Sequence, residues 1–555
     1  MKKKFIVFFV FVIICTSALP ISASLGTINE WKKPSLNYDS GDIEILSNDL
    51  LRYVGPRDPL MSNPKGPGPG YYDTSEYLIG TVGVGLIFLE SNGAIDPSTE
   101  NWTPTEISNV LSEINQSLIW WSNQNPYAGV SFTLDIHTAV PTSYEPINHP
   151  SVFTNPSWEK LWVSEAMAYL GYTSGDWMKR TRDYINAMRT AKGTDWAYAV
   201  FLIDSSNDID GNFSDGYSAY GYLGGPFLVM TYDNGAWGIS RMDQVMAHET
   251  GHIFWATDEY DGTTEYSGYL NAADVEGSGC LMDTNTLTLS SGTILQGGWR
   301  DTDSDTILDI IDTNPDTILT PYPQDPTPLQ TLTYTGSATE VPYPNNNPQP
   351  SDPGNDVTVN EILVVLYRID GGTWMPTIPS DGSWNQPMEL YTFTTIPLSH
   401  GPHLIETFAT NNVGNVDSTL ASDTITIDNA PNKPTLTGKV DGKINQPYMY
   451  NCSAADTDGD SVFYWIDWDD GTNTGWIGPY PPGTLIHVNH TWTVKGTYQI
   501  QAKAKDIYNM EGPWATLDVT MPKGTAYIPS LFFDLIERIM ERFPYAFPIL
   551  RQLLG

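Results

Sequence analysis

The stretch His248-Glu249-Thr-Gly-His252 constrains this chain more than any other. On an α-helix, residues four apart lie on one face, so both imidazoles can point at one ion. Imidazole nitrogens suit zinc, held with one coordination position open to water. Glu249 sits beside the first ligand and cannot reach the same ion from there. It is placed instead to take a proton from a water in the open position. Histidine is scarce, 8 in 555 residues, so this spacing arises by chance in roughly one such sequence in a hundred. Ser240-Arg-Met-Asp243 reads as an N-cap followed by an acid three residues on. It predicts a helix that carries the motif in its second and third turns.

Two ligands do not complete a site. If the helix ran on, Glu259 would share the face of His248 and His252 but lie about 10 Å further along the axis. The helix must therefore stop soon after His252 and the chain fold back. Asp258, ten residues after His248, is then the best-placed carboxylate. Glu259, Glu265 and Glu276 stay open as alternatives.

The string His248-Glu249-Thr-Gly-His252-Ile-Phe-Trp255-Ala-Thr-Asp258 resembles the H-E-x-x-H-x-x-G-x-x-[H/D] motif of the metzincin metalloproteases. Its Asp-ending form resembles the snapalysins and the immune-inhibitor-A-like secreted proteases. The resemblance implies an α+β catalytic domain, a mixed twisted sheet plus an active-site helix. It implies zinc on His248, His252 and Asp258, with Glu249 as catalytic general base. Gly277-Ser-Gly-Cys280-Leu-Met282-Asp looks like the family's Met-turn, with Met282 as an apolar floor under the metal. One position departs: Trp255 stands where the family has Gly. That Gly permits the sharp reversal that ends the helix, and Trp at positive φ is costly. The expectation is a different exit, or a turn made by neighbours. The family's Tyr two residues after the Met is absent; Tyr260 or Tyr266 is placed to offer a phenol to the oxyanion, and either fits a packing role equally well.

The rest of the chain reads as export and modules. Residues 1–23 run basic, apolar, then small, as a secretory signal peptide does. A net charge of −38 excludes non-specific nucleic-acid binding as a main role. Cys280 and Cys452 fall in different predicted domains, so disulfides do not staple the fold. Residues 24–70 read as a linker or short prosegment, and 71–298 as the metalloprotease domain. Within it, strands are expected at 78–89, 130–136, 196–203 and 227–232. Thr103-Pro-Thr-Glu106 is a capping box opening a helix to about Ser122. Residues 157–191 read as a helical insertion. The strand near 226–232 is expected to be the sheet edge beside the cleft, where an extended peptide can add as a further strand. The loop Asp204 to Asn212 suits calcium or plain solvent equally.

In residues 299–320, Asp301, Asp303, Asp305, Asp309 and Asp312 take positions 1, 3, 5, 9 and 12 of a calcium loop, with the Ile307 carbonyl due at 7. Thr306 sits where such loops have Gly. The stretch resembles a thrombospondin type 3 repeat, which implies Ca²⁺. Residues 321–355 read as a Pro-rich spacer. Residues 356–430 resemble a bacterial immunoglobulin-like module, with His400 and His403 as turn and strand positions rather than ligands. Residues 431–522 resemble a polycystic-kidney-disease (PKD) domain, on Asp456-Thr-Asp-Gly-Asp460, Trp465-Ile-Asp-Trp-Asp-Asp-Gly-Thr472 and Gly496 to Asp506. Residues 523–555 form an amphipathic tail, suited to a membrane surface or envelope partner, or to packing on the last domain. The expected function is a secreted zinc endopeptidase acting on protein or peptide substrates. Two other classes fit the same layout: a cell-surface adhesion protein with a non-catalytic metal site, and a glycan-directed zinc hydrolase.

Overall fold

Thr81–Ser91 (β1) is apolar almost throughout and nearly every residue is buried, the mark of a strand covered on both faces. The computed structural model describes residues 43–45, 51–53, 67–348, 355–521 and 530–542. The signal-peptide reading and most of the linker and tail readings lie outside the described residues. Within the linker stretch, Ile43–Ile45 and Leu51–Tyr53 pair as short antiparallel strands.

The chain divides into two units, the first made of residues 1–313 and 342–359. In it β1 pairs in parallel with Ser131–Thr142 (β2) on one side and Trp196–Ile203 (β3) on the other. Ala219–Gly221 (β4) and Phe227–Thr231 (β5) complete a five-stranded sheet in the order β2-β1-β3-β5-β4. β5 is parallel to β3, whereas β4 runs antiparallel to β5 and forms the edge. This corrects the expectation that 226–232 is the edge strand. A three-residue strand is too short to show an alternating pattern, so β4 escapes a reading based on period.

Pro104–Gln124 (α1) starts at the capping box, with Thr103 and Glu106 exchanging both bonds. The expected insertion is two helices, Pro156–Tyr169 (α2) and Trp177–Lys192 (α3), packed on one sheet face. Their apolar stripes bury Trp162, Met167, Ile185 and Met188 against Phe201 and Val229. Met242–Ile253 (α4) packs beside α1, where Trp121 Nε1 donates to Ala247 O at 3.1 Å. Tyr198 OH from β3 meets Thr250 Oγ1 at 3.1 Å and ties α4 to the sheet. The expected Ser240 cap is not used: a 3-10 turn over Ile239–Arg241 leads in, and Arg241 holds the cap position without a side-chain bond.

The second unit comprises residues 314–341 and 360–555 and holds two β modules. In the first, the sheet of Pro315–Leu319, Thr333–Glu340, Met388–Thr394 and Ile378–Pro379 shares a core with that of Met375–Pro376, Ile362–Ile369, Gly401–Asn411 and Ala421–Ile427. Tyr334, Tyr391, Phe393, Val365 and Ile405 fill it. The spacer reading of 321–355 is therefore wrong over Thr333–Glu340, a strand inside the sheet. Its sequence, Thr-Tyr-Thr-Gly-Ser-Ala-Thr-Glu, is mostly polar and hides it. Residues 342–359 belong to the first unit instead, where Asn346 N donates to Tyr269 O and Val357 N to Tyr269 Oη.

The second module has sheets of three and four strands around Tyr450, Tyr464, Trp492 and Ile500. Both modules are thus all-β sandwiches, and their alternating strands put one face inside and one out. Cys280 and Cys452 are both free and buried. Ser530–Arg542 is a helix with Leu535 and Ile539 exposed. No helix among the described residues is long and apolar enough to cross a membrane.

Candidate metal centre

Helix α4 brings His248 and His252 to one face, their ring centroids 4.8 Å apart. Each ring is fixed by its Nδ1, which meets Leu281 O at 2.9 Å for His248 and Ala256 O at 2.8 Å for His252. A backbone carbonyl there selects the tautomer with Nδ1 protonated and turns Nε2 toward Asp258.

The chain then turns back. Ala256 N donates to Gly251 O at 2.9 Å and Trp255 N to His252 O at 3.0 Å, the pair of bonds of a Schellman helix end. Trp255 itself takes the left-handed conformation, φ +70°. The expected alternative exit is therefore overturned: Trp occupies the position where the family has Gly, with the conformation Gly would supply.

That turn delivers Asp258. Its Oδ1 lies 3.1 Å from His248 Nε2 and 3.6 Å from His252 Nε2. Zinc with bonds near 2.0–2.1 Å in a tetrahedral shell sets ligand atoms about 3.3–3.4 Å apart; Asp258 Oδ1 stands close to that spacing from both rings, and all three atoms lie within 4.8 Å of one another. His248, His252 and Asp258 form a group able to share one ion. All are buried, at 4, 5 and 3% exposure, with Glu249 at 2%. Glu249 Oε2 is buried with no hydrogen-bond partner among the described residues. An unpaired carboxylate oxygen is costly in such a place unless something there uses it.

Glu259, one residue on, has a different task. It is fully buried, and its carboxylate accepts bonds from Ser278, Ser290, Thr293 and Cys280. Glu259 N also donates to Met282 O at 2.9 Å. Glu276 Oε2 accepts from Gly262 N. Met282 lies under the helix: a Cβ on Gly251 would stand 2.7 Å from its Sδ. Gly251 thus allows the Met loop to press against α4, and Leu281 from that loop holds His248.

The electrostatics follow from burial. Burial opposes charge on His248, but the bond and charge of Asp258 outweigh it and raise the imidazole to about 9. Burial takes His252 down to about 4, with Asp258 opposing. Burial pushes Glu249 up to about 8. A cation on both Nε2 atoms requires both rings neutral.

Sequence reading missed Gly221. A Cβ there would lie 3.0 Å from Glu249 O and 3.2 Å from Glu249 Oε2. Glycine lets the edge strand β4 run directly beside the acid. A Gly within a strand is the signal for such close approach. Tyr266, one of two candidate phenols, is 56% exposed.

The acidic loop is only partly assembled. Asp301, Asp303 and Asp305 bring ligand atoms within 4.8 Å of one another. Asp301 accepts from Ser304 N and Thr306 N, and Thr306 takes φ +81° where calcium loops have Gly. Asp309, the expected position 9, stands outside that group: its carboxylate pairs with Arg300 and accepts from Thr302.

No protein-family model matches the chain, and no curated protein matches it. Among solved structures it is similar to the PKD domain of an M14-like peptidase from a Thermoplasmatales archaeon, 48% identical over 17% of this chain and 99% of that one, TM-score 0.17. The chain carries a PKD domain. The second β module carries the Asp-rich motifs described above. The chain is also similar to the PKD domain of the human VPS10 domain-containing receptor SorCS2, at 13% identity over 17% of this chain and 77% of that one, TM-score 0.14. A CARDB domain from Pyrococcus furiosus is 17% identical over 17% of this chain and 90% of that one, TM-score 0.14.

Proposed function

We propose that the first unit is a secreted, metzincin-like zinc endopeptidase. The observation that carries this reading is the convergence of His248, His252 and Asp258 at zinc spacing, beside an acid with a free buried oxygen. When bound, zinc lowers the pKa of a water and polarises a carbonyl oxygen. Glu249 takes a proton from the attacking water and passes it to the leaving amine. As the last strand of the sheet, β4 is where an extended substrate would pair through main-chain groups, and its Gly221 brings that strand against Glu249. The donor set of three protein ligands leaves a position for substrate, whereas a structural site closes all four.

Calcium on Asp301, Asp303 and Asp305 belongs to the same reading, since three carboxylates in one turn suit a hard cation. The β modules would then act as spacers or surface-binding parts.

The test is hydrolysis of casein or gelatin by Glu249→Ala with zinc content measured alongside. General-base removal should cost about 10²–10⁴ in rate while one zinc stays bound. Hydrolysis retained in that variant would remove the mechanism.

A further inference from the structure

A second group of acids lies at the joint between the two β modules. Asp428 directly follows Ala421–Ile427, the last strand of the first module. The second module contributes Asp456, Asp458 and Asp460 from the loop after Tyr448–Ser453, and Asp506 from the end of Gly496–Lys505. Asp428 and Asp506 are 0% exposed and Asp456 is 9% exposed. One imidazole meets them. His400 Nε2 lies 3.0 Å from Asp428 Oδ1, 2.9 Å from Asp460 Oδ2 and 3.9 Å from Asp458 Oδ2.

The loops satisfy only one oxygen of each buried acid. Asp456 Oδ1 accepts from the N–H groups of Asp458, Gly459 and Asp460. Asp506 Oδ1 accepts from Tyr508 and Met510. The second oxygens of Asp428, Asp456 and Asp506 are buried without a hydrogen-bond partner among the described residues. The Asp428 carboxylate faces those of Asp460 and Asp506. Five carboxylates against one imidazole leave at least four surplus negative charges if all are ionised. Buried charge of one sign is relieved either by a proton shared between carboxyls, as Asp428 and Asp506 are placed to do, or by a cation that joins them. An oxygen-rich set suits Ca²⁺ better than zinc, which prefers nitrogen and sulfur, or Mg²⁺, which keeps its waters.

We propose that one Ca²⁺ binds on the free oxygens of Asp428, Asp456 and Asp506, with Asp460, and holds the two β modules together. His400 sits beside it, its Nε2 hydrogen-bonded to Asp428 Oδ1 and at ion-pair distance from Asp460 Oδ2. The site draws on both modules, so the cation acts as a joint and not as part of the peptidase centre.

The experiment uses the full chain with Asp301→Asn and Asp303→Asn, which silences the exposed loop. Calorimetric titration with Ca²⁺ should still find one equivalent, and Ca²⁺ should raise the unfolding temperature. Adding Asp428→Asn and Asp506→Asn should remove both effects. A second readout leaves every proposed ligand residue in place. The Tyr508 ring lies 5.9 Å from the His400 ring, so Tb³⁺ bound here should emit when tyrosine is excited. Tyr508→Phe should lose most of that emission. Absence of any Ca²⁺ equivalent in the first variant would overturn the proposal, as would an equivalent that survives Asp428→Asn and Asp506→Asn. Tb³⁺ emission unchanged by Tyr508→Phe would also overturn it.

Discussion

The Trp255 indole lies directly over Gly224: a Cβ on that glycine would stand 2.3 Å from Trp255 Cζ2. The two residues explain each other. Left-handed backbone costs a non-glycine residue about 1–2 kcal/mol, and an indole buried to 3% exposure offsets this with a larger packing term. Gly224 supplies the space, and the chain pairs Trp255 with Leu223 as well. The turn that aims Asp258 thus rests on tertiary packing in place of a glycine.

Trp255→Gly should therefore not stabilise the protein, although it removes backbone strain. Loss of the buried indole should cost about 2–4 kcal/mol net, measured by denaturant unfolding, with zinc still bound to the folded fraction. Gly224→Ala should destabilise the parent by about 1–3 kcal/mol, and less so in the Trp255→Gly background. Equal effects of Gly224→Ala in both backgrounds would show that the contact does not matter.

Asp258 and Glu259 should separate cleanly. Asp258→Ala should lower zinc occupancy while leaving the far-UV circular dichroism intact. Glu259→Ala removes the acceptor for Ser278, Ser290, Thr293 and Cys280. It should cost about 3–5 kcal/mol yet leave zinc bound where the protein is still folded. Zinc loss in folded Glu259→Ala, with zinc kept by Asp258→Ala, would reverse the ligand assignment.

Gly221→Val tests the closeness of β4 to the acid. The added side chain meets Glu249 and His252 Cβ, each at 3.2 Å or less from the new Cβ. Displacing the acid by a fraction of an ångström should slow peptide hydrolysis by up to about 10²-fold, with zinc content unchanged. Full activity in this variant would place the substrate elsewhere.

Stability should fall as pH rises through the mildly acidic range. Burial raises the Glu159 carboxyl to about 7, against bonds from Tyr222, Tyr220 and Trp177 that favour its charge. The folded state then holds a proton that the unfolded state has released, so the contribution is full below about 4.5 and is lost by about 7. The size is on the order of 3 kcal/mol. Glu145, also raised to about 7 by burial, acts in the same direction. Glu159→Gln should flatten the fall of unfolding free energy between pH 5 and 7 without abolishing it. An unchanged slope would mean that Glu159 stays ionised throughout.

Much of the site was legible because its chemistry is local. Two histidines four apart on an amphipathic segment share a helix face wherever that helix sits, and the adjacent Glu249 must fall beside them. The capping box at Thr103 and the strand patterns of the β modules are likewise short-range signals. Less legible were β4, too short to show a period, and Thr333–Glu340, too polar to look buried.

Local sequence settled the helix, its paired imidazoles and the acid beside them, since these depend on residues within a few positions of one another. Tertiary structure alone brought Asp258, and not Glu259, to the two imidazoles. That choice turns on Ser278, Ser290 and Thr293, which arrive from 19 to 34 residues away to claim Glu259. It also decided that Trp255 takes a glycine's conformation, because the room for its ring comes from Gly224, thirty-one residues earlier.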